Sequence, residues 1–153
     1  MKDGFDSVIE AVRAKFATLI ASPKHSVQRL PKEMPVAGIY LFSENGRPLY
    51  VGRTNKLQER LKYHTRNNHN QATFAFLLAR RKTGNLKASY RPVGSRTALL
   101  SEPTFRAAFD AARDRISQMD VQFVEEPDPV KQTILEVFTA FETEAEFNDF
   151  DNH

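Results

Sequence analysis

Two tyrosines and a series of basic residues occupy one short part of this 153-residue chain. Tyr40 and Tyr50 lie ten residues apart within GIYLFSENGRPLYVG (38–52). Basic residues follow at four-residue steps, namely Lys56, Arg60 and His64. Guanidinium groups donate paired hydrogen bonds to phosphate oxygens and stay charged at any working pH. Phenols beside a cationic stripe therefore indicate a phosphate site, although an ordinary exposed helix face is the alternative.

A hairpin would position the two tyrosines. The apolar runs on either side of Asn45-Gly46 predict strands at 36–42 and 48–53. A two-residue turn would place the tyrosines on opposite faces. A three-residue loop would pair Tyr40 with Tyr50 and collect the aliphatic side chains on the other face, so we favour it. Glycines beside the tyrosines would leave room for a ligand, and a purely structural aromatic cross-strand pair is the alternative.

Helices are predicted around this hairpin. Helical spacing and caps predict helices at 6–20, from Thr54-Asn55 to about Asn67, at 71–82, at 103–117 and from Asp128-Pro129 onward. MDVQFVEE (119–126) alternates like a strand. We therefore expect an α/β (α+β) fold in which a small, mainly antiparallel sheet of about three strands is flanked by helices. At this length a single domain, 1–153, is expected.

Charge is distributed unevenly along the chain. Residues 47–115 contain fifteen Lys or Arg and four acids, a net charge of +11, whereas residues 116–153 contain one lysine and ten acids. A basic block of this size predicts a polyanionic partner, of which nucleic acid is the commonest. A solvated surface that neutralises the acidic segment is the alternative.

Cysteine content and hydropathy limit the class and location expected for this protein. The chain has no cysteine, which excludes disulfides and thiolate metal sites. Its first residues, MKDGFDSVIEAVRAKF, lack the apolar run of a secretory signal. No run approaches the roughly 18 apolar residues of a membrane span. A cytoplasmic location without membrane contact is the expectation.

The motif residues resemble the GIY-YIG nuclease superfamily, which includes homing endonucleases, some restriction enzymes and the incision subunit of bacterial excision repair. The resemblance rests on Gly38-Ile39-Tyr40, Tyr50-Val51-Gly52, Arg60 and His64, and it covers roughly residues 36–66 and 119–150. Val51 replaces the second isoleucine of the family name. The domain would then carry an N-terminal helical extension (1–35) and a basic insertion (67–118).

The family pattern continues with a glutamate on a later helix and then an asparagine, which the resemblance assigns to Glu136 and Asn148. Glu136 also stands out by itself, because it is a carboxylate within the apolar run ILEVF (134–138). Competing glutamates are Glu125, Glu126 and Glu142. The resemblance implies that Glu136 binds one Mg²⁺ (or Mn²⁺) and that Asn148 supports the site.

The implied reaction is hydrolysis of a nucleic-acid phosphodiester. By resemblance, Arg60 would donate to the scissile phosphate and Tyr40 would act as general base. An unperturbed phenol has a pKa of about 10, so Tyr40 would need a nearby positive charge, from Arg53, Arg60 or the metal. Tyr50 would position water or phosphate. His64 would orient water, protonate a leaving group or hydrogen-bond to phosphate.

The central segment is expected to select the substrate, with DNA favoured over RNA. The residues predicted to bind nucleic acid are Arg53, Lys56, Arg80, Arg81, Lys82, Lys87, Arg91 and Arg96. Phe74 and Phe76, which alternate with these basic residues, are expected in the core. Because one such site cuts one strand, double-strand cleavage would need a homodimer or two binding events. Targeting would come from the 67–118 segment or from a partner protein.

Two other functions fit the same sequence. A nucleic-acid-binding module could keep this fold without cutting, and it would bind without a requirement for Mg²⁺ or Glu136. A small interaction protein could use its acidic C-terminal segment to dock a basic partner, and it would show no salt-sensitive affinity for nucleic acid.

Overall fold

The structure is a computed structural model, and it describes residues 4–68, 71–84 and 96–148. The chain divides into two compact units. Met1–Glu59 and Met119–His153 form the first, which we call the sheet unit, and Arg60–Gln118 forms the second, which we call the helical unit. No helix in the described ranges has the length and apolarity that crossing a membrane requires.

Six helices and three strands make up the described chain. In order they are α1 (Phe5–Ala21), β1 (Gly38–Glu44), β2 (Arg47–Thr54), α2 (Leu57–Tyr63), α3 (Thr73–Thr83), α4 (Arg96–Ser101), α5 (Pro103–Ser117), β3 (Asp120–Glu125) and α6 (Pro129–Thr143), with a 3₁₀ turn at Val27–Arg29. The strands form one antiparallel sheet in the order β2-β1-β3. The expected mixed fold with a small antiparallel sheet is confirmed.

One face of the sheet supports the core of the sheet unit. Its aliphatic side chains pack against α1 and α6 in a cluster that includes Val12, Leu19, Ile39, Leu41, Val51, Val124, Leu135 and Ala140. Burying each such side chain contributes about 1.5–3 kcal/mol. Gln122, also on this face, donates to the carbonyls of Leu19 and Ile20 at the end of α1 and to that of Ser22, the residue that caps this end. The tyrosines lie on the opposite face, since side chains alternate along a strand.

The hairpin register differs from the expected one. The turn has two residues, Asn45 and Gly46, both with positive φ, as a type I′ turn requires. A bulge at Leu49 then shifts the pairing, so that Tyr40 lies opposite Gly52 and Tyr50 lies opposite Phe42. The three-residue loop is therefore wrong, whereas the shared face of the two tyrosines is confirmed.

Helix boundaries follow the capping residues where these are strong. Asp128 accepts a hydrogen bond from Lys131 N at 2.9 Å and so caps the N-terminus of α6, directly before Pro129. Gly84, with φ of 80°, ends α3. By contrast, α2 ends at Tyr63 instead of about Asn67. Phe74 and Phe76 of α3 are buried, as expected for core residues.

Candidate functional site

Tyr40 and Tyr50 lie side by side on the face of the sheet opposite α1 and α6. Their ring centroids are 6.5 Å apart. Tyr40 is only 1% exposed, whereas Tyr50 is half-buried. A Cβ at position 52 would overlap Cζ and Oη of Tyr40, so the phenol ring lies directly over Gly52. The space beside this glycine is filled by Tyr40 and is not left for a ligand, which corrects that expectation.

Gly38 is needed for a different close approach. A Cβ there would overlap the backbone carbonyl of Val124 on β3. The first glycine of the motif therefore lets β1 and β3 approach each other, and the second lets Tyr40 cover β2.

Glu136 is a half-buried carboxylate on α6, with 22% of its side chain exposed. Arg53 Nε lies 3.7 Å from its Oε1. Burial raises the pKa of Glu136, and this rise is opposed by the positive charge of Arg53 and by a hydrogen bond from the Arg53 backbone N–H. The charged carboxylate is thus partly desolvated and only partly compensated.

The competing glutamates have other environments. Glu126 is buried and accepts a hydrogen bond from Asp128 N at 3.1 Å, next to the start of α6. Glu125 and Glu142 are exposed. Glu136 differs from these glutamates in lying half-buried beside Arg53, an arginine of the motif hairpin.

Asn148 binds the outer edge of β2. Val51 N donates to its Oδ1 at 2.8 Å, and its Nδ2 donates to Val51 O at 2.8 Å. Phe147 N donates to Leu49 O at 2.9 Å on the same edge. Backbone groups at 49, 51 and 53 point away from β1, because alternate residues share a direction in an antiparallel ladder. Phe147 and Asn148 therefore take the place of a neighbouring strand along the outer edge of β2, the strand that contains Tyr50.

Arg53 has a different environment from the one expected. By strand alternation its side chain lies on the face opposite Tyr40, because it pairs with Ile39 while Tyr40 pairs with Gly52. Its nearest described charge is Glu136. The side chain of Arg53 thus pairs with the carboxylate of Glu136.

Arg60 and His64 belong to the helical unit. Arg60 is half-buried, and its guanidinium donates to Gln71 O at 3.2 Å and to Thr73 Oγ1 at 2.8 Å. His64 is fully buried, and burial together with the charge of Arg60 lowers its pKa to about 3. The imidazole of His64 is therefore neutral at neutral pH. A neutral imidazole does not suit protonation of a leaving group, which is one of the three roles considered for His64.

The predicted cationic stripe is not a single helix face. Lys56 is exposed and precedes α2, Arg60 lies within the helix, and His64 follows its last residue. Because α2 is only seven residues long, the three do not repeat on one helical surface. Leu57 and Leu61 of this helix are fully buried.

The remaining predicted nucleic-acid contacts lie in the helical unit. Arg80 and Arg96 are half-buried, while Arg81 and Lys82 are exposed at the end of α3. Lys87 and Arg91 lie outside the described residues.

The donor set fits a cation held by one protein carboxylate. Within residues 4–68, 71–84 and 96–148, no three His, Cys, Asp or Glu side chains lie together as a metal cluster. Mg²⁺ commonly keeps several waters and binds through one or two carboxylates plus substrate phosphate. The partly desolvated charge of Glu136 would gain from a cation, so this residue fits the role and the remaining ligands would come from water and phosphate.

Comparison with known proteins agrees with the motif. Residues 36–92 match the family model described as the GIY-YIG catalytic domain. This match covers β1, β2, α2 and α3. The match supports assignment of this part of the chain to the GIY-YIG nuclease superfamily. Neither the curated proteins nor the solved structures contain a significant match to the chain.

Two features of the site have no local signal in the sequence. Arg53 and Glu136 are 83 positions apart, and Val51 and Asn148 are 97 positions apart. No periodicity or spacing connects such residues. The GIY-YIG resemblance singled out Asn148, and the resemblance together with the apolar run around Glu136 singled out that glutamate. Nothing in the sequence indicated that Arg53 and Val51 are their partners.

Proposed function

We propose that this chain is a metal-dependent endonuclease that hydrolyses phosphodiester bonds of DNA with a single-metal site. The observation that carries the proposal is the half-buried Glu136 carboxylate, whose charge is only partly compensated by Arg53. The match of residues 36–92 to a nuclease catalytic domain supports the reaction class. The basic residues of 60–118 support a polyanionic substrate.

Each site residue has a proposed role. Glu136 holds Mg²⁺ or Mn²⁺, which when bound supplies positive charge to phosphate oxygens and activates water. Tyr40, as its deprotonated phenolate, takes the proton of the attacking water and becomes the neutral phenol. Tyr50, which is more exposed, positions water or phosphate. Arg60 donates to the phosphate as negative charge develops. Asn148 positions β2 through Val51.

Fewer roles fit His64 than the three considered from the sequence. Because its pKa is lowered to about 3, it remains neutral across the working range of a nuclease. We propose that it acts as a neutral hydrogen-bonding group that orients its neighbours, and that the proton of the leaving group comes from water.

A substrate panel tests the proposal. Purified protein is incubated with end-labelled single-stranded DNA, duplex DNA and RNA, in Mg²⁺, in Mn²⁺ or in EDTA. We expect internal cleavage of DNA that requires the divalent cation. Cleavage that persists in EDTA would contradict a metal-dependent mechanism. Absence of cleavage together with salt-sensitive binding would favour the non-catalytic binding module.

A further inference from the structure

The helical unit is strongly basic. Arg60–Gln118 contains twelve Lys or Arg and three acids, and residues 60–101 contain no Asp or Glu. Of the three acids, Asp110 is already bound by two arginines of its own helix, by Arg113 at 2.9 Å and by Arg106 at 3.4 Å. A unit with this composition leaves many of its cations to solvent or to a bound anion.

One of these cations lies on an aromatic ring at the end of α2. The guanidinium of Arg66 lies over the ring of Tyr63, with Cζ 4.4 Å from the ring centroid. Tyr63 is the last residue of the helix, and in the turn that follows Arg66 N donates to Tyr63 O at 3.1 Å. Tyr63 is half-buried, whereas Arg66 is exposed, and its guanidinium makes no hydrogen bond or ion pair with the residues that the structure describes.

Helix α5 holds the turn that carries Arg66. Arg113 Nε donates to Thr65 O at 3.1 Å, directly before Arg66. Arg106 donates to Oδ1 of Asn67, directly after it. The chain on both sides of Arg66 is therefore fixed before a ligand binds, which lowers the entropic cost of binding at this position.

A guanidinium over an aromatic ring suits a nucleobase as its next layer. Arg66 is exposed, and a base stacks on the plane of a guanidinium as it does on an aromatic side chain. The faces of a base within a duplex are covered by its neighbours, whereas those of an unpaired base are open to such a contact. The pair of Tyr63 and Arg66 therefore favours a strand with unpaired bases over an intact duplex.

We propose that Tyr63 and Arg66 form a stacking platform for an unpaired base of the nucleic-acid substrate. Neither residue is assigned to cleavage or to the phosphate contacts predicted from the sequence. This role rests on the proposed function and narrows its substrate to DNA that contains unpaired nucleotides.

Two single strands that differ only in their bases test the platform. The probes are a short fluorescein-labelled single-stranded DNA and a strand of the same length whose central nucleotides are abasic, so that both carry the same phosphates. Binding is measured by anisotropy in EDTA over a range of salt concentrations. Wild-type protein should bind the strand with bases about tenfold more tightly than the abasic strand.

Three variants separate stacking from charge. Arg66→Lys keeps the positive charge without the planar group, so it should lose most of the preference for bases while the slope of log affinity against log salt stays that of wild type. Tyr63→Leu should also lose the preference, because it removes the ring beneath Arg66. Lys62→Gln, which removes an exposed charge from the same end of α2, is the control. It should weaken binding of both strands equally and keep the preference.

Several results would overturn the platform. One is equal affinity of wild-type protein for the two strands. Another is a preference that persists in both Arg66→Lys and Tyr63→Leu. Thermal unfolding without DNA provides the structural control, since Arg66→Lys should melt at the wild-type temperature. A lower melting temperature together with an equal loss of affinity for both strands would show that Arg66 serves the fold and not a base.

The platform and the nuclease proposal fail in different ways. If wild-type protein cuts none of the nucleic acids tested while Arg66→Lys still loses the preference for bases, the platform stands and the nuclease proposal fails. If DNA is cut in a metal-dependent manner and Arg66→Lys keeps the wild-type preference, the reverse holds.

Discussion

Tyr40 depends on the absence of a side chain at position 52. Its ring lies where a Cβ of residue 52 would be, so the glycine of Tyr50-Val51-Gly52 fixes the phenol of Gly38-Ile39-Tyr40. The two halves of the motif are thereby joined by one steric contact across β1 and β2. This explains in physical terms why a glycine follows the second tyrosine by two residues.

Replacing this glycine tests the contact. Gly52→Ala should displace the Tyr40 ring, destabilise the protein by about 1–3 kcal/mol and reduce cleavage more than stability alone would explain. Chemical denaturation and the cleavage rate under fully folded conditions measure the two effects. Gly4→Ala is the control, since nothing lies within 4 Å of its added Cβ. A fully active, fully stable Gly52→Ala protein would contradict the packing of Tyr40 over Gly52.

At the scale of elements, β2 is an edge strand whose free side is occupied by side-chain and loop groups. Asn148 presents an amide that reproduces both hydrogen bonds of a neighbouring strand at Val51. Phe147 adds a third at Leu49, the bulged residue. Covering the edge in this way satisfies its backbone groups and blocks pairing with other chains.

Amide hydrogen exchange at Val51 tests this edge. In Asn148→Ala the Val51 N–H loses its acceptor, so its exchange should accelerate by about 5–30-fold, corresponding to roughly 1–2 kcal/mol. The Tyr50 amide, whose alternate position directs it toward β1, is the internal control. Equal acceleration at both amides would mean that the whole hairpin opens, and no change at Val51 would contradict the bond.

The elements also show what the sequence could and could not predict. Alternation and caps predicted β3, α5 and the start of α6, because these signals are local. They did not predict the register of the hairpin, since the bulge at Leu49 is stabilised by Phe147, almost one hundred residues away. Family resemblance supplied Glu136 and Asn148, whereas their partners Arg53 and Val51 emerged only from the folded chain.

At the scale of the whole molecule, one buried histidine makes the free energy of unfolding depend on pH. His64 has a pKa of about 3 in the folded chain against an ordinary value of 6.5. Below pH 6.5 the imidazole of His64 is therefore protonated in the unfolded chain, whereas in the folded chain it becomes protonated only near pH 3. The contribution of His64 to the free energy of unfolding is therefore fully present above pH 6.5 and is lost as the pH falls toward 3.

This linkage predicts a measurable slope. Between pH 6.5 and 3, His64 should lower the unfolding free energy by about 1.4 kcal/mol per pH unit of acidification. His64→Gln should flatten that part of the curve relative to wild type. Denaturation at a series of pH values provides the comparison. An identical slope in wild type and His64→Gln would show that the imidazole is not kept neutral by the fold.

The central claim is that Glu136 holds the catalytic cation, and one comparison tests it most directly. Single-turnover DNA cleavage in Mg²⁺ is measured for wild type, for Glu136→Gln and for Glu142→Gln, which makes the same change at an exposed position of the same helix. We predict that Glu136→Gln loses at least about 100-fold in rate while folding like wild type, and that Glu142→Gln cleaves normally. Cleavage by Glu136→Gln at the wild-type rate, with the same requirement for Mg²⁺, would contradict the account.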